Sequence, residues 1–539
     1  MVDSMAGLWD SFKKNKYMWW YALCFALLGL IDQRRGSALG GVQMAMTNLT
    51  GPVLACLLLP SMKKAFFRTR FALLWTGACI IGTPLGILLG RRVWDYAGQW
   101  NIGVINVALA GFLILYLVWD WKEIRGRRRL CKACFLTVMV MLALMQLSVN
   151  EAIWPVWFLV YFGCFYLIGI PAELESIFIQ GMLAGIIVWF FVQQIIAFGF
   201  RPYDYVRYRG LYSGETQNGL FYMIVFCAFT GMWLQLRKRK AHWSLKLLCF
   251  ALSAGSIGFL LLTGGRSSLI GAVVAAALAY MLYDVYLLDS FKHWIVQGIG
   301  LCLCIVLLFP VVYGCVRYLP TILHHPVWFE GEYDPYRSIH SYDSWDSEKY
   351  ISFEKVLNMN LGRILDMFGI HFSIGVSGED EVGIKTSFGL TAHAAAPGEP
   401  GSSPDTPYEE NEEEYGTPMG ARKIIYRYYG THLNFRGHTK EQLPFYYTHY
   451  AIEGDHTHNM FLQIAFDHGI LPGLLFLVWS IACFIRLVMR KNLEGIILVT
   501  FFSAIFVYGL AEMAVTPGQI TLVLMFLIYY FAIQKRQMA

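Results

Sequence analysis

The stretch 456-HTHNMFLQIAFDHGILPG-473 determines how the rest of the chain is interpreted, because a long polar segment and an apolar run meet within it. The polar segment covers residues 315–455. The apolar run that follows His458 and Asn459 has the length of a membrane helix. A histidine and an asparagine therefore lie at the mouth of a predicted membrane helix, next to the largest polar segment of the chain. This position makes the stretch the first candidate for a functional site.

The composition excludes an ordinary soluble protein. Hydrophobic residues make up 57% of the 539 positions and charged residues only 15%, whereas soluble domains carry about 25% charged residues. The apolar residues form repeated blocks of roughly 15–23 positions, the length at which a helix crosses about 30 Å of hydrocarbon. A chain in lipid has to pair its own backbone, and alternating strands of barrel type are absent from the sequence. The sequence predicts an all-α polytopic membrane protein.

The apolar blocks predict about 12–14 transmembrane helices. They lie near residues 17–31, 42–60, 71–90, 101–120, 133–149, 154–171, 177–199, 218–236, 244–262, 268–288, 295–314, 459–485, 495–512 and 519–534. The first block ends in Asp32 rather than in a small-residue cleavage site, so we expect it to remain as the first span. Four regions follow, namely N-terminal helices (1–199), core helices with arginine-bearing loops (200–314), a large extracytoplasmic loop (315–457) and C-terminal helices (458–539).

Lysine and arginine set the expected orientation, because short cytoplasmic loops are enriched in both. The basic connections lie at residues 13–16, 63–70, 122–132, 237–240, 486–491 and 535–536. All of them fall on one side if both termini are cytoplasmic. The loop 201–217, the turn 263–268 and the segment 315–457 then share the outer face.

The large outer segment is uneven in composition. Residues 343–368 and 422–429 have the apolar spacing of short helices that lie along a bilayer surface. Residues 397–420, PGEPGSSPDTPYEENEEEYGTPMG, are acidic and almost without aliphatic side chains. Such a segment buries too little surface to order itself, so we expect disorder there.

Arginines on the expected outer face are the first candidate binding residues. Arg207 and Arg209 lie beside glycines, Asn218 is placed to cap the helix that follows, and Arg266 lies in a very short turn after Gly-Gly. Guanidinium groups match phosphate oxygens, and glycines allow a ligand to approach the backbone closely. A single interfacial arginine can instead extend its charge to water, or pair for structural reasons.

His458 is the candidate catalytic base. An imidazole near its ordinary pKa can take a proton from a hydroxyl group. Asn459 follows it directly as a supporting residue, His456 lies two positions before it, and Glu512 belongs to a neighbouring span. The alternative is structural, because a histidine or asparagine at a helix start can serve only as a cap.

A metal site is not expected. The histidines of the large loop have neither the i, i+4 spacing nor the cysteine company of a metal motif. Cys131 and Cys134 form a lone CxxC pair, which is a weak zinc signal without a second pair. We therefore predict neither a metal ion nor another cofactor.

Three motifs in order resemble the O-antigen ligase and polymerase superfamily over roughly residues 200–485. They are an arginine-glycine motif before an asparagine at a span start, then TGGRSS, then HNMFLQIAFDHGILPG after a large outer loop. The residues that carry the resemblance are Arg207, Gly210, Asn218, Arg266, His458, Asn459, Gly469 and Gly473. Two departures are Gln217, where the family often has proline, and Arg209, which competes with Arg207 for one role.

The resemblance implies transfer of an oligosaccharide from a polyprenyl diphosphate carrier to an acceptor glycan or glycolipid. The reaction would take place at the outer face of the cytoplasmic (inner) membrane, with inversion and without a metal ion. Arg207 and Arg266 would bind the diphosphate and His458 would deprotonate the acceptor hydroxyl. The expected partners are these lipid-linked glycans and membrane lipid, and nucleic acid is not among them.

Three alternatives remain open from the residues. The acceptor separates a ligase from a polymerase, and nothing in the chain reveals the acceptor. A transporter or flippase would need charged residues in mid-span, for which Glu173 and Glu512 are the nearest candidates. A metal-dependent membrane glycosyltransferase would need several carboxylates after the first span, where Asp32 stands alone.

Overall fold

The computed structural model describes most of the membrane region and parts of the large loop. It covers residues 15–32, 50–93, 97–126, 132–149, 154–200, 207–212, 214–322, 356, 370–377, 381–388, 420–439, 445–447, 452–454, 456–514 and 520–534. Residues 397–419 of the segment with predicted disorder and nearly all of the predicted helix at 343–368 lie outside these residues.

Twelve helices precede the large loop in the described part of the chain. They are α1 (Lys16–Asp32), α2 (Thr50–Leu58), α3 (Arg70–Val93), α4 (Ala97–Trp119), α5 (Trp121–Gly126), α6 (Lys132–Gln146), α7 (Trp154–Ile168), α8 (Ala172–Phe200), α9 (Glu215–Lys238), α10 (Trp243–Thr263), α11 (Arg266–Leu287) and α12 (His293–Ile322). Two single-turn 3₁₀ helices, Leu59–Ser61 and Phe66–Arg68, follow α2.

Five further helices and four short strands make up the described remainder. The helices are α13 (Gly420–Thr431), α14 (Met460–His468), α15 (Ile470–Val488), α16 (Leu493–Gly509) and α17 (Ile520–Ile533). The strands pair as two antiparallel hairpins, β1 (Ile370–Ser377) with β2 (Glu381–Phe388) and β3 (Phe445–Tyr447) with β4 (Ile452–Gly454). Helix α13 confirms the helix expected at 422–429, and the hairpins are strands that the all-α prediction lacks.

Six of the described helices, α8 to α12 and α15, are long and apolar enough to cross a membrane. Seven shorter apolar helical segments accompany them in the described residues. The helical, membrane-spanning class of the protein is therefore confirmed by helix length and composition. The finer figure of 12–14 spans stays a prediction.

Helix α9 lies at the centre of the bundle. It packs against α8, α10, α11 and α16, and its side chains from Asn218 to Gly231 are buried. Helix α12 is the opposite case, because one face of it carries strongly exposed apolar side chains. Ile299, Val306 and Leu307 are each more than 60% exposed. An apolar surface of this size is unfavourable in water and is the surface that lipid tails cover.

The helices define two ends of the bundle. Helix α16 runs antiparallel to α9 and α11, so that its last turn meets their first turns. The Tyr508 hydroxyl donates to the Thr216 carbonyl over 3.4 Å, and Gly219 lies against Ser268. We call this the site end. At the other end Arg237 approaches Asp284 at 3.9 Å.

The predicted span 459–485 is wrong in one respect, because the structure divides it into α14 and α15 at Gly469. Gly469 has φ +103°, a conformation that L-residues with a side chain rarely adopt. A Cβ atom there would clash with the Phe435 carbonyl. The Ile470 amide donates to the Asn434 carbonyl over 2.9 Å, so the loop after α13 holds the break in place.

Candidate functional site

The backbone at residues 456–459, the histidine loop, is held in an unusual conformation. His458 has φ +50°, which is uncommon for a residue with a side chain and costs about 1–2 kcal/mol. Asn459 is the N-cap of α14, and its side-chain oxygen accepts from the amides of Phe461 and Leu462, each at 3.0 Å. Strained residues that persist are concentrated at functional sites.

The His458 ring pairs with a carboxylate from another helix. Nδ1 of His458 lies 3.0 Å from Oε2 of Glu512, which follows α16. The Glu512 side chain is 7% exposed and that of His458 is 28% exposed. The carboxylate is therefore enclosed while the imidazole can be reached. A carboxylate that accepts from Nδ1–H favours the tautomer with its lone pair on Nε2.

A third ionisable side chain joins this pair. The ring centroids of His456 and His458 are 4.1 Å apart. One ligand atom from each of His456, His458 and Glu512 lies within 4.8 Å of the others. The sequence could not show this cluster, because Glu512 is 54 positions from His458 and approaches it only through the packing of α16.

Helix α13 of the large loop is fastened to the histidine loop. The Tyr426 hydroxyl donates to the His458 carbonyl over 3.1 Å. Asn459 reinforces the arrangement, since its Nδ2 donates to the Leu510 carbonyl over 3.0 Å. The histidine loop is thus held by α13 on one side and by the end of α16 on the other.

The two neighbouring arginines share one carboxylate. Nε of Arg209 lies 3.3 Å from Oε1 of Glu215, and Arg207 approaches Oε2 of the same side chain at 3.9 Å. Arg207 is the more exposed of the two, at 29% against 14%. Arg209 is therefore the closer partner of Glu215, and Arg207 is more accessible to a ligand.

Asn218 does not cap α9, so that part of the sequence interpretation is wrong. The helix begins at Glu215 with Gly214 as its N-cap, which makes no side-chain cap bond. Asn218 lies one turn inside, and its Nδ2 donates 2.8 Å back to the Tyr208 carbonyl. Gly210, with φ +57°, lies against the Asn218 amide. The side chain supports the loop between Arg207 and Arg209 from within the helix.

Arg266 is exposed and is the first residue of α11. Before it, Gly264 ends α10 with φ +61°, and the Gly265 amide donates to Thr263 Oγ1 over 3.1 Å. Nε of Arg207 donates to the Thr263 carbonyl over 2.7 Å. One hydrogen bond thus joins the two arginine-bearing motifs, and we call Arg207, Arg209 and Arg266 the arginine cluster.

The structure brings all three sequence motifs to the site end. The arginine cluster lies at the first turns of α9 and α11, and Glu512 follows the last turn of α16. The Tyr508–Thr216 hydrogen bond joins these elements, and Gly509 packs against Met460, the first residue of α14. His458 pairs with Glu512 and the neighbouring arginines pair with Glu215, at one end of one bundle.

Three residues of the site have roles that sequence reasoning missed. Glu512 entered as a residue of a neighbouring span and as a candidate charge for the transporter alternative, and neither Glu215 nor Tyr426 was assigned a role. Glu215 and Glu512 lie at or near helix ends and Tyr426 lies in the middle of α13, and none of them is one of the residues that define the three motifs. The one available signal is that Glu512 is the last residue of the apolar block 495–512 and so lies at the expected outer face.

A second polar pair lies further along α14. Burial raises the pKa of Asp467 to about 6, although Gln463 donates to its carboxylate over 2.8 Å. Burial also lowers the pKa of His468 to about 4. His468 Nδ1 lies 3.0 Å from the Ser148 hydroxyl. Gln463 also accepts from the Thr457 amide at 2.8 Å, which connects this pair to the histidine loop.

No protein-family model, curated protein or solved structure matches this chain. The resemblance to the O-antigen ligase and polymerase superfamily therefore depends on the three motifs and their order. Further support for a function comes from the geometry of the site.

Proposed function

We propose that this protein is a membrane glycosyltransferase that moves an oligosaccharide from a polyprenyl diphosphate carrier to an acceptor hydroxyl. It would act in the assembly of a surface polysaccharide such as lipopolysaccharide or exopolysaccharide. The observation that carries the proposal is the pairing of His458 with Glu512 at the bundle end that also holds the arginine cluster. A base and an anion site at one end are what this transfer needs.

His458 is the proposed general base. With Nδ1–H donated to Glu512, Nε2 accepts the proton of the acceptor hydroxyl as its oxygen attacks the anomeric carbon. The bond between that carbon and the diphosphate oxygen breaks, and its electron pair leaves with the diphosphate. Attack from the face opposite the leaving group inverts the anomeric centre. General-base catalysis of this kind contributes about 10²–10⁴-fold.

The arginine cluster is the proposed diphosphate site. Guanidinium groups bind phosphate oxygens through paired hydrogen bonds and stabilise the charge that develops on the leaving group. Glu215 offsets part of the positive charge and holds Arg209 at 3.3 Å. We assign direct contact with the diphosphate to Arg207 and Arg266, the more exposed members. Arg209, the closer partner of Glu215, has a structural role.

The proposed orientation places both termini in the cytoplasm and the site at the outer face of the inner membrane. The basic loops and the long polar segment support it. The attachment of α13 to the histidine loop supports a role for the large loop as a cover over the acceptor. We favour a polymerase, which adds one carrier-linked glycan to another, over a ligase. No metal ion or other cofactor is assigned to the step.

The decisive test is transfer by purified protein in lipid nanodiscs, with a labelled carrier-linked oligosaccharide and a chelator present. We expect inverting transfer that His458→Asn lowers by about 10²-fold or more. Arg207→Lys and Arg266→Lys should each raise KM for the carrier substrate, since lysine lacks the paired donors. His293→Asn and Arg239→Lys, both at exposed positions of the other end, are the matched controls.

Full activity of His458→Asn would overturn the assignment of the base. Carrier substrate that moves across the bilayer without any glycosidic bond being formed would favour a flippase. The identity of the product separates the two enzymes, since a polymerase makes longer carrier-linked chains and a ligase makes a new acceptor conjugate.

A further inference from the structure

The side chains of His456, His458 and Glu512 form a compact three-ligand cluster. One ligand atom of each lies within 4.8 Å of the others, and Nδ1 of His458 and Oε2 of Glu512 are already 3.0 Å apart. His456 has no part in the proposed transfer, yet its ring lies 4.1 Å from the His458 ring. The transfer chemistry leaves this third member unexplained.

The donor set selects a class of ion. Two imidazole nitrogens with one carboxylate oxygen match catalytic and regulatory zinc sites and suit other late divalent transition metals. Magnesium and calcium prefer oxygen ligands alone. A tetrahedral Zn²⁺ ion with bonds of about 2.0–2.2 Å places its ligand atoms roughly 3.3 Å apart. Small side-chain rotations would bring the cluster to that spacing.

We propose that His456, His458 and Glu512 bind a divalent transition-metal ion, with Zn²⁺ as the best-fitting one, and that the bound ion inhibits transfer. The inhibitory half rests on the proposed function, because the ion occupies the base itself. A metal ion on His458 and Glu512 replaces the hydrogen bond that sets the tautomer. It leaves no basic nitrogen oriented toward the acceptor. The binding half depends on the geometry alone.

The backbone around the cluster is organised before any ion binds. Asn459 donates to the Leu510 carbonyl over 3.0 Å and so ties the histidine loop to the segment that carries Glu512. Tyr426 holds the His458 carbonyl over 3.1 Å. Ligands on two segments that are already fastened together lose little freedom on binding, which favours affinity.

Binding is measured without any transfer reaction. Chelator-treated protein in nanodiscs is titrated with Co²⁺, whose visible absorption reports nitrogen and oxygen ligation, and Zn²⁺ is then added as a competitor. We expect one Co²⁺ per chain, displaced by Zn²⁺ and not by Mg²⁺ or Ca²⁺. His456→Ala should weaken binding by at least about tenfold, since even outer-shell partners cost about 10–100-fold. His432→Ala, a histidine exposed at the end of α13, is the matched control and should bind as the native chain does.

Inhibition is measured in the transfer assay by titrating Zn²⁺ with and without chelator. We expect Zn²⁺ to abolish transfer by the native chain and chelator to restore it. His456→Ala should keep the transfer rate of the native chain and need at least about tenfold more Zn²⁺ for the same loss.

The outcomes separate this inference from the proposed function. Equal Co²⁺ binding by the native chain and His456→Ala would overturn the metal site while leaving transfer intact. Metal binding by a chain that never transfers would overturn the proposed function and leave the site standing. Transfer that requires Zn²⁺ would overturn both the inhibitory role and the metal-free mechanism.

Discussion

Nδ1 of His458 lies 3.0 Å from Oε2 of Glu512, although 54 positions separate the two residues in the chain. The contact joins the loop before α14 to the segment after α16. It gives a partly exposed imidazole an enclosed carboxylate partner. A histidine that only capped a helix would not need this partner, because Asn459 already caps α14.

Glu512→Gln tests whether the carboxylate orients and polarises the base. A glutamine oxygen can still accept from Nδ1–H, but the charge that stabilises the imidazolium is lost. We expect kcat for transfer to fall about tenfold to 10²-fold, within the range of general-base effects, while KM for the carrier substrate stays unchanged. Steady-state kinetics in nanodiscs give both constants.

Glu512→Asp is the rescue variant, because it restores the charge on a shorter side chain and should recover part of kcat. Glu494→Gln, at the other end of the bundle, is the matched control. A raised KM with an unchanged kcat would show that Glu512 acts in binding or folding and not on the base.

Two substitutions of His458 separate its backbone role from its chemistry. Asparagine tolerates the left-handed conformation that φ +50° requires, whereas alanine pays about 1–2 kcal/mol for it. We expect His458→Asn and His458→Ala to lose transfer equally. The native histidine already carries the cost of this conformation, so the thermal midpoint should be higher in the asparagine variant than in the alanine variant. Differential scanning fluorimetry and the transfer assay on the same preparations measure the two effects.

The opposite pattern would contradict this account. If His458→Ala were at least as stable as His458→Asn, the left-handed backbone at residue 458 would not determine the stability of these variants. If the two variants differed strongly in transfer, the loss would come from loop geometry and not from the missing base.

The fold could be predicted to the level of helices, because lipid-length apolar blocks leave few alternatives. The block expected at 17–31 is observed as Lys16–Asp32 and that at 244–262 as Trp243–Thr263. Length did not reveal the break at Gly469, because the apolar run resumes directly after Asp467, His468 and Gly469 and the whole stretch has the length of one span. The β1–β2 hairpin does have a sequence signal, because Ile370, Phe372, Ile374 and Val376 alternate with polar or small residues. The all-α prediction overlooked it.

The site could be predicted in its motif residues but not in their partners. His458 and the arginine cluster stand out as polar groups at predicted span ends. Glu215 and Glu512 become visible only when the helices pack, because their partners belong to other turns or other helices. Asn218 shows the limit of local rules, since its capping role was inferred from position and the structure gives it a bond to Tyr208.

Gly469→Ala should destabilise the break between α14 and α15. The residue has φ +103°, and an added Cβ would meet the Phe435 carbonyl, which is backbone and cannot rotate away. We expect a loss of about 1–3 kcal/mol, as for other sparsely populated backbone conformations. Thermal unfolding followed by circular dichroism measures it.

Gly430→Ala is the matched control, because an added Cβ at that position of α13 meets nothing within 4 Å. Alanine in a helix should be neutral or stabilising by about 0.5–1 kcal/mol. Equal losses at the two glycines would show that the conformation of Gly469 is not needed for the fold.

Asp467 and His468 predict opposite pH dependences of stability at adjacent positions. The folded pKa of Asp467, about 6, is raised above its ordinary 3.8, so its contribution is lost as pH rises toward 6. The folded pKa of His468, about 4, is lowered from 6.5, so its contribution is lost as pH falls from 6.5 toward 4. The two groups therefore change the free energy of unfolding in opposite directions between about pH 4 and pH 6.

Removing one group should therefore expose the slope of the other. From pH 6.5 to pH 5, Asp467→Asn should lose up to about 2 kcal/mol relative to the native chain, and His468→Gln should gain a similar amount. The backbone amide of the neighbouring His438 donates to the Asp467 carbonyl over 3.3 Å. His438 and Arg436 of the same loop are unchanged in the native chain and in both variants, so their contributions to stability cancel in the comparison. Thermal midpoints at both pH values test the sign. Variants that shift in the same direction would show that burial does not hold Asp467 protonated and His468 neutral.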